Sequence, residues 1–202
     1  MFKKVLIAED FQDTNTGIVN ALSNKFNIPK IQEELYCDKA YNRIKVANMA
    51  KQPFELLITD LMFKESHTNR RLTSGIALIE AIKSIQPSIK VIVNSMEDNP
   101  VKIKELFNKQ KIDAYVCKGR ENLNELISAM HEVYQNNTYI SPQIKMHSNN
   151  NVVELDEYDI QILTELADGL SKKEIAEKFK QNKIAPNSES TIDKRVSKLF
   201  DD

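Results

Sequence analysis

VLIAED, residues 5–10, is a short apolar run that ends in two carboxylates, and LLITD, residues 56–60, repeats the form with one. Read as neighbouring parallel strands, the two runs bring Glu9, Asp10 and Asp60 to one edge of a sheet. That is the carboxyl-end edge, where open α/β sheets place their chemistry. Carboxylates packed together repel, so such a cluster calls for a cation. Acidic residues also follow strands simply because loops are polar, so the surrounding pattern has to decide.

Working outward, strands are expected at Val5–Ala8, near 31–36, at Phe54–Thr59, Ile89–Val93 and Ala114–Cys117. Helical spacing falls between them. Ile18, Val19, Leu22 and Phe26 share one face, as do Ile44, Ala47 and Ala50, and then Ile76, Leu78, Ile79 and Ile82. Further helices are expected at Val101–Asn108 and Leu123–Tyr134. Strict alternation of nearly continuous apolar strands with helical crossovers predicts a five-stranded, parallel, doubly wound α/β sheet covered on both faces. The strand order then gathers Glu9, Asp10, Asp60, Ser95 and Lys118 at one rim.

Composition narrows the function. The 202 residues suffice for one sizeable domain and a small one, and a net charge of −1 does not by itself imply nucleic acid. An apolar content of 41% suits a folded chain. The four glycines, Gly17, Gly75, Gly119 and Gly169, form neither GxGxxG nor GxxxxGK[ST], so dinucleotide binding and nucleotide hydrolysis are excluded. Cys37 and Cys117 have no metal spacing and suggest no disulfide. MFKK leads directly into a strand, and no run reaches membrane-spanning length, so a cytoplasmic protein is expected.

At the rim, Asp10 and Glu9 offer hard oxygen ligands that suit Mg²⁺. Asp60 can be a ligand and also a nucleophile, since carboxylates form acyl phosphates. Lys118 would supply a fixed positive charge, and Ser95 a hydroxyl for a phosphate oxygen. Taken singly, Lys118–Gly119 also reads as a strand-end turn, and Ser95 as a helix cap, with Asp98 or Asn99 before Pro100 the stronger cap.

ED at 9–10, ITD ending at Asp60, VIVNS ending at Ser95 and AYVCKG with Lys118 together resemble the receiver domain of bacterial two-component response regulators, over about residues 1–135. The resemblance implies a flavodoxin-like fold and a phosphoacceptor role for Asp60, fed by a sensor histidine kinase or a small phosphodonor. It implies Mg²⁺ held by Glu9, Asp10, Asp60 and the backbone carbonyl of Met62. It implies Ser95 and Tyr115 as a switch pair, the hydroxyl moving to the phosphate while the ring turns inward. Such a protein catalyses its own phosphotransfer and hydrolysis but is not otherwise an enzyme.

One stretch departs from the family. LMFKESHTNRRLTSG, residues 61–75, has no proline soon after Asp60, and its glycine comes about seven residues late. The insert, residues 63–74, carries Lys64, His67, Arg70 and Arg71. It reads as an exposed loop with a solvated His67. Its basic charge could instead steer an acidic partner or shield an aspartyl phosphate.

The expected receiver spans residues 1–136, and a connector rich in Ser, Asn and Pro follows at 137–153. Residues 154–202 form a small all-α domain. Its first helix is expected at Asp156–Ala167, with Ile160, Leu163, Leu166 and Ala167 inward and Gly169 after it. A second helix is capped by Ser171 with Glu174, and a third, Ser190–Phe200, carries Ile192, Val196 and Leu199 on one stripe. Two short helices meeting near a turn, with Lys194, Arg195 and Lys198 outward, read as a helix-turn-helix.

ADGLSKKEIA and STIDKRV resemble the output domain of LuxR/NarL-type regulators. The resemblance implies Lys172 and Lys173 near phosphates, and Ser190, Thr191, Lys194, Arg195 and Lys198 facing the groove of duplex DNA. Two departures stand out: a long turn with Pro186, and a sequence that stops at Asp202 without the family's final helix.

The leading expectation is a regulator whose phosphorylation at Asp60 drives homodimerisation and DNA binding to control transcription, with no membrane partner. The runner-up is a receiver whose helical module binds a protein. Residues 151–202 carry 8 basic and 12 acidic residues, which favours the runner-up, although 178–198 is locally basic. A small Mg²⁺-dependent phosphatase would need a second acid near Asp60, and Glu65 is the only close candidate.

Overall fold

The computed structural model describes residues 1–64, 70–144 and 155–200, without the side chains of Lys198 and Phe200. The connector over 145–154 and the insert residues Glu65 and His67 lie outside the described residues. The chain divides into two compact units, Met1–His147 and Ser148–Asp202.

In the first unit, strands β1 (Lys4–Ala8), β2 (Lys30–Glu34), β3 (Leu56–Thr59), β4 (Lys90–Ser95) and β5 (Ala114–Cys117) are joined by helices α1 (Gln12–Lys25), α2 (Cys37–Met49), α3 (Gly75–Ile85) and α4 (Pro100–Glu105). Helix α5 (Asn122–Tyr134) follows β5. The sheet order is β2-β1-β3-β4-β5-β6, all pairs parallel. The sixth strand, β6 (Tyr139–Ile140), is a correction to the five-stranded expectation. It lies where the sequence suggested the start of the connector. Ser141 N–H continues the ladder to Tyr115 O, and Ile144 is buried in the core.

Side chains alternate across the strands, and this divides the core into two layers. Leu6, Ala8, Leu57, Val91, Val93 and Tyr115 pack against α2, α3 and α4, through Ile44, Leu78, Ile82 and Ile103. Val5, Ile7, Leu56, Ile58, Ile92 and Val116 pack against α1 and α5, through Ile18, Leu22, Leu126 and Met130. The central strands are buried on both faces, which is why they read as unbroken apolar runs. Asn99 caps α4 by accepting from the N–H groups of Val101 and Lys102, with Pro100 at the first helical position. The helix then widens into a π-turn over Leu106–Gln110. Among the described residues, no helix is long and apolar enough to cross a membrane.

The second unit holds α6 (Glu157–Ala167), α7 (Lys172–Gln181) and α8 (Glu189–Phe200). Capping boxes start two of them, Asp156 with Asp159 and Ser171 with Glu174. Gly169 follows α6 at φ +88°, a left-handed conformation that costs other residues dearly. The core joins Ile162, Ile175, Phe179, Ile192 and Val196. Ile160, expected inward, is 52% exposed, and the buried stripe instead begins at Asp159.

Candidate functional site

The register fixes the rim. Ala8 pairs with Thr59 and Ser95 with Cys117, so the residues that follow β1, β3 and β5 emerge together. Asp60 N–H donates to Ala8 O at 3.1 Å, and Lys118 N–H to Ser95 O at 2.8 Å. Glu9, Asp10 and Asp60 each bring one carboxylate oxygen within 4.8 Å of the others.

Lys118 Nζ sits between two of them, 2.7 Å from Glu9 Oε2 and 2.6 Å from Asp60 Oδ2. Burial works against its ammonium, but the hydrogen bonds to Asp60 and Glu9 outweigh it and hold the pKa above the ordinary lysine value. Burial also pushes the Glu9 carboxyl up, with Lys118 pulling it down and the Asp60 charge raising it again. The other Asp60 oxygen, Oδ1, accepts from Leu61 N–H at 2.6 Å and Met62 N–H at 3.2 Å. Asp60 is thus aimed by its own loop, with Oδ2 on the Lys118 side.

Asp10 is held differently. Its Oδ2 accepts from Lys64 N–H at 2.8 Å, and its Oδ1 is buried with no hydrogen-bond partner. Three hard oxygen donors, one of them buried and unsatisfied, with a single ammonium that answers only the other two, fit Mg²⁺. Asn15 was not foreseen at the rim. It is buried and donates through Nδ2 to Glu9 O at 2.6 Å. Nothing in its sequence context separates it from an ordinary first-turn polar residue.

Ser95 Oγ is buried and makes no hydrogen bond of ordinary geometry, although it lies close enough to the Tyr115 hydroxyl to work against the rise in that phenol's pKa. Tyr115, opposite Val93, is fully buried, and its hydroxyl donates to Glu97 O at 2.6 Å in the loop after β4. Burial raises this phenol, so it stays a donor at physiological pH. Ser95 and Tyr115 therefore stand on neighbouring strands next to the one loop that joins the rim to α4.

Gly75 is the other residue whose role the sequence understated. A Cβ there would lie 1.9 Å from Asp60 O and 2.8 Å from Leu61 Cα. Its N–H donates to Leu61 O at 2.9 Å, and Met62 bridges to Ser74. The insert leaves and returns through this narrow neck, so α3 still starts against the loop that carries Asp60.

The expected DNA-contacting residues are only partly outward. Arg195 is engaged within its own unit: its Nη2 is 2.5 Å from Asp156 Oδ2, and its Nε pairs with Asp159, whose side chain is fully buried. That hydrogen bond from Arg195 holds the Asp159 carboxyl below its usual range. The guanidinium ties α8 to the start of α6. Lys172 pairs with Asp193 of α8. Thr191 Oγ1 meets Ser188 Oγ at 2.7 Å at the start of the helix, so it serves the cap. Lys173, Ser190 and Lys194 are exposed, and the side chain of Lys198 lies outside the described residues.

The chain matches no family model. It is 26% identical over 193 residues to oxygen regulatory protein NreC of Staphylococcus carnosus, covering 87% of this chain and 82% of that one. Among solved structures, it is similar to the RcsB response regulator of Salmonella typhimurium, with a TM-score of 0.70 and 22% identity over 98% of this chain and 89% of that one. An RcsB–DNA complex gives a TM-score of 0.61 at 23% identity, over 98% and 90%. The isolated receiver of RcsB from Salmonella enterica serovar Typhimurium, with the phosphomimetic BeF₃⁻, gives 0.58 at 24% identity, over 71% and 96%. At these identities the structural likeness establishes the fold.

Proposed function

From the premise that this chain has the two-domain fold of bacterial two-component response regulators, a receiver followed by a LuxR/NarL-type helix-turn-helix unit, we propose that it is a phosphorylation-controlled transcription regulator. The observation that carries the reading is the arrangement of Asp60 and Lys118 within the three-carboxylate rim.

In this reading Asp60 is the phosphoacceptor. Leu61 and Met62 N–H groups fix Oδ1, so Oδ2 is the atom presented for attack. A new Oδ2–P bond forms as the bond from phosphorus to the donor's leaving group breaks. Glu9, Asp10, Asp60 and the Met62 carbonyl would hold Mg²⁺, which would offset the negative charge of the phosphoryl oxygens. Lys118 gives up its bond to Asp60 and takes a phosphoryl oxygen. Ser95 Oγ, buried and without a hydrogen bond of ordinary geometry, gains one when it turns to the phosphoryl group. That movement strains the loop whose Glu97 carbonyl receives the Tyr115 hydroxyl, and so Ser95 and Tyr115 act as the switch pair. A sensor histidine kinase is the physiological donor.

Phosphorylation would then favour a homodimer that presents two helix-turn-helix units to duplex DNA, where paired half-sites gain from effective concentration. With Arg195 engaged inside its own domain, the proposed reading face is the stripe Ser190, Asp193, Lys194 and Ser197, all exposed and spaced for one side of α8. Lys172 and Lys173 would serve phosphates. A second reading, docking of a protein on the helical unit, is favoured by the acidic Glu189 and Asp193 on that same exposed surface.

Full-length protein, with and without beryllofluoride and Mg²⁺, distinguishes the two. The regulator reading expects duplex affinity that rises with the phosphoryl mimic and falls steeply with salt. Dimerisation with no duplex affinity at any salt would move the output to a protein partner.

A further inference from the structure

The insert after Asp60 is the part of this chain that the regulator reading leaves without a task. We infer that its first arm belongs to the phosphorylation site, and that the backbone N–H of Lys64 is a positioning group for the Asp10 carboxylate. The inference rests on the Mg²⁺ role proposed for the rim.

Two contacts on different atoms staple residue 64 to the start of α1. The N–H reaches Asp10 Oδ2 at 2.8 Å, and Nζ lies 3.9 Å from the centroid of the Phe11 ring. The return arm is pinned as well. Arg71 and Leu72 N–H groups donate to the two oxygens of Asp38 in the first turn of α2, at 3.1 and 3.2 Å. The Arg70 guanidinium lies 3.6 Å from the centroid of Tyr36. Both described arms are therefore anchored beside the acidic rim, and the Met62–Ser74 bridge closes their base.

The chemistry explains why the N–H matters. Lys118 reaches Glu9 and Asp60 but makes no bond to Asp10. Asp10 is next to two like charges, and left alone its carboxylate would rotate toward water. With Oδ2 tied to Lys64 N–H and Oδ1 buried, the carboxylate is held in one orientation beside Glu9 and Asp60. Groups that orient a metal ligand from behind typically govern affinity by about 10–100-fold.

The test compares Lys64→Pro, which removes the N–H, with Lys64→Ala, which keeps it and loses the ammonium over Phe11. Mg²⁺ affinity is measured calorimetrically on full-length protein, and a urea midpoint is recorded for each variant. The expected result is about a tenfold weaker Mg²⁺ affinity for Lys64→Pro and at most about a twofold change for Lys64→Ala. A purely structural loop contact would move the midpoint and leave the affinity alone. Because Lys64→Pro could fail to fold, the native protein supplies a second readout. Its Lys64 amide resonance should shift along the same Mg²⁺ titration curve as those of Glu9 and Asp10. Native-like affinity in Lys64→Pro, or an unresponsive Lys64 amide in a protein that does bind Mg²⁺, overturns the inference. A native protein that binds no Mg²⁺ overturns the parent reading with it.

Discussion

Gly75→Ala is expected to cost stability on a scale that few single methyl groups reach. The added carbon would stand 1.9 Å from Asp60 O, with Asp60 C and Leu61 Cα at 2.8 Å. All three are backbone atoms, so no side-chain rotation relieves the overlap. Either α3 withdraws from the sheet or the Asp60 loop is pushed aside. Overpacking of this kind costs on the order of 3 kcal/mol. If the loop moves, Asp60 is misplaced relative to Lys118, and an error of about 1 Å at a reacting group can cost about 10²-fold in rate. The urea midpoint and the rate of phosphorylation from a small acyl phosphate report the two outcomes. Gly119→Ala is the control, because a Cβ there meets nothing within 4 Å. A Gly75→Ala protein matching the native midpoint and rate would show that the neck of the insert is not as tight as described.

Lys118→Met should be the most damaging change among the rim side chains, with a distinctive pH dependence. Its ammonium separates Glu9 and Asp60, whose side chains are almost wholly buried. Removing one member of a buried ionic set leaves uncompensated charge and costs on the order of 3 kcal/mol. Burial already raises Glu9, and without Lys118 that effect and the facing Asp60 charge are opposed only by the hydrogen bond from Phe11 N–H. A carboxyl whose folded pKa lies above its unfolded value favours the fold at low pH and loses that advantage as pH rises through the folded pKa. The deficit of Lys118→Met should therefore be largest near neutrality and shrink as pH falls toward about 4. Added Mg²⁺ should recover part of it. Urea unfolding across that range, with and without Mg²⁺, reads the effect, and a deficit independent of pH would contradict the electrostatic account.

The sheet and its rim were legible because both depend on local patterns. β1, β3, β4 and β5 are buried on both faces, so each shows as an apolar run with its functional residue at the end. β2 was harder to bound because it is an edge strand with mostly half-exposed residues. β6 was missed because Tyr139–Ile140 gain their strand character from pairing with β5, and a two-residue segment has no period to read. The tightness at Gly75 is a distance between segments brought together only by folding. The ion pairs of Arg195 were illegible for a related reason. It sits three residues after Ile192, at the margin of the buried stripe, where a charged side chain ordinarily points to water. The buried partner that draws it inward, Asp159, lies on another helix, far away in sequence.

The central claim is that Asp60 accepts a phosphoryl group in a Mg²⁺-dependent reaction. Intact-protein mass spectrometry after incubation with Mg²⁺ and a small acyl-phosphate donor, followed by mapping of the labile adduct, tests it directly. The account predicts one phosphoryl group, on the peptide that carries Asp60, abolished by chelation of the metal and by Asp60→Asn. An adduct at another residue, or one that survives in Asp60→Asn or in the absence of divalent metal, would contradict it.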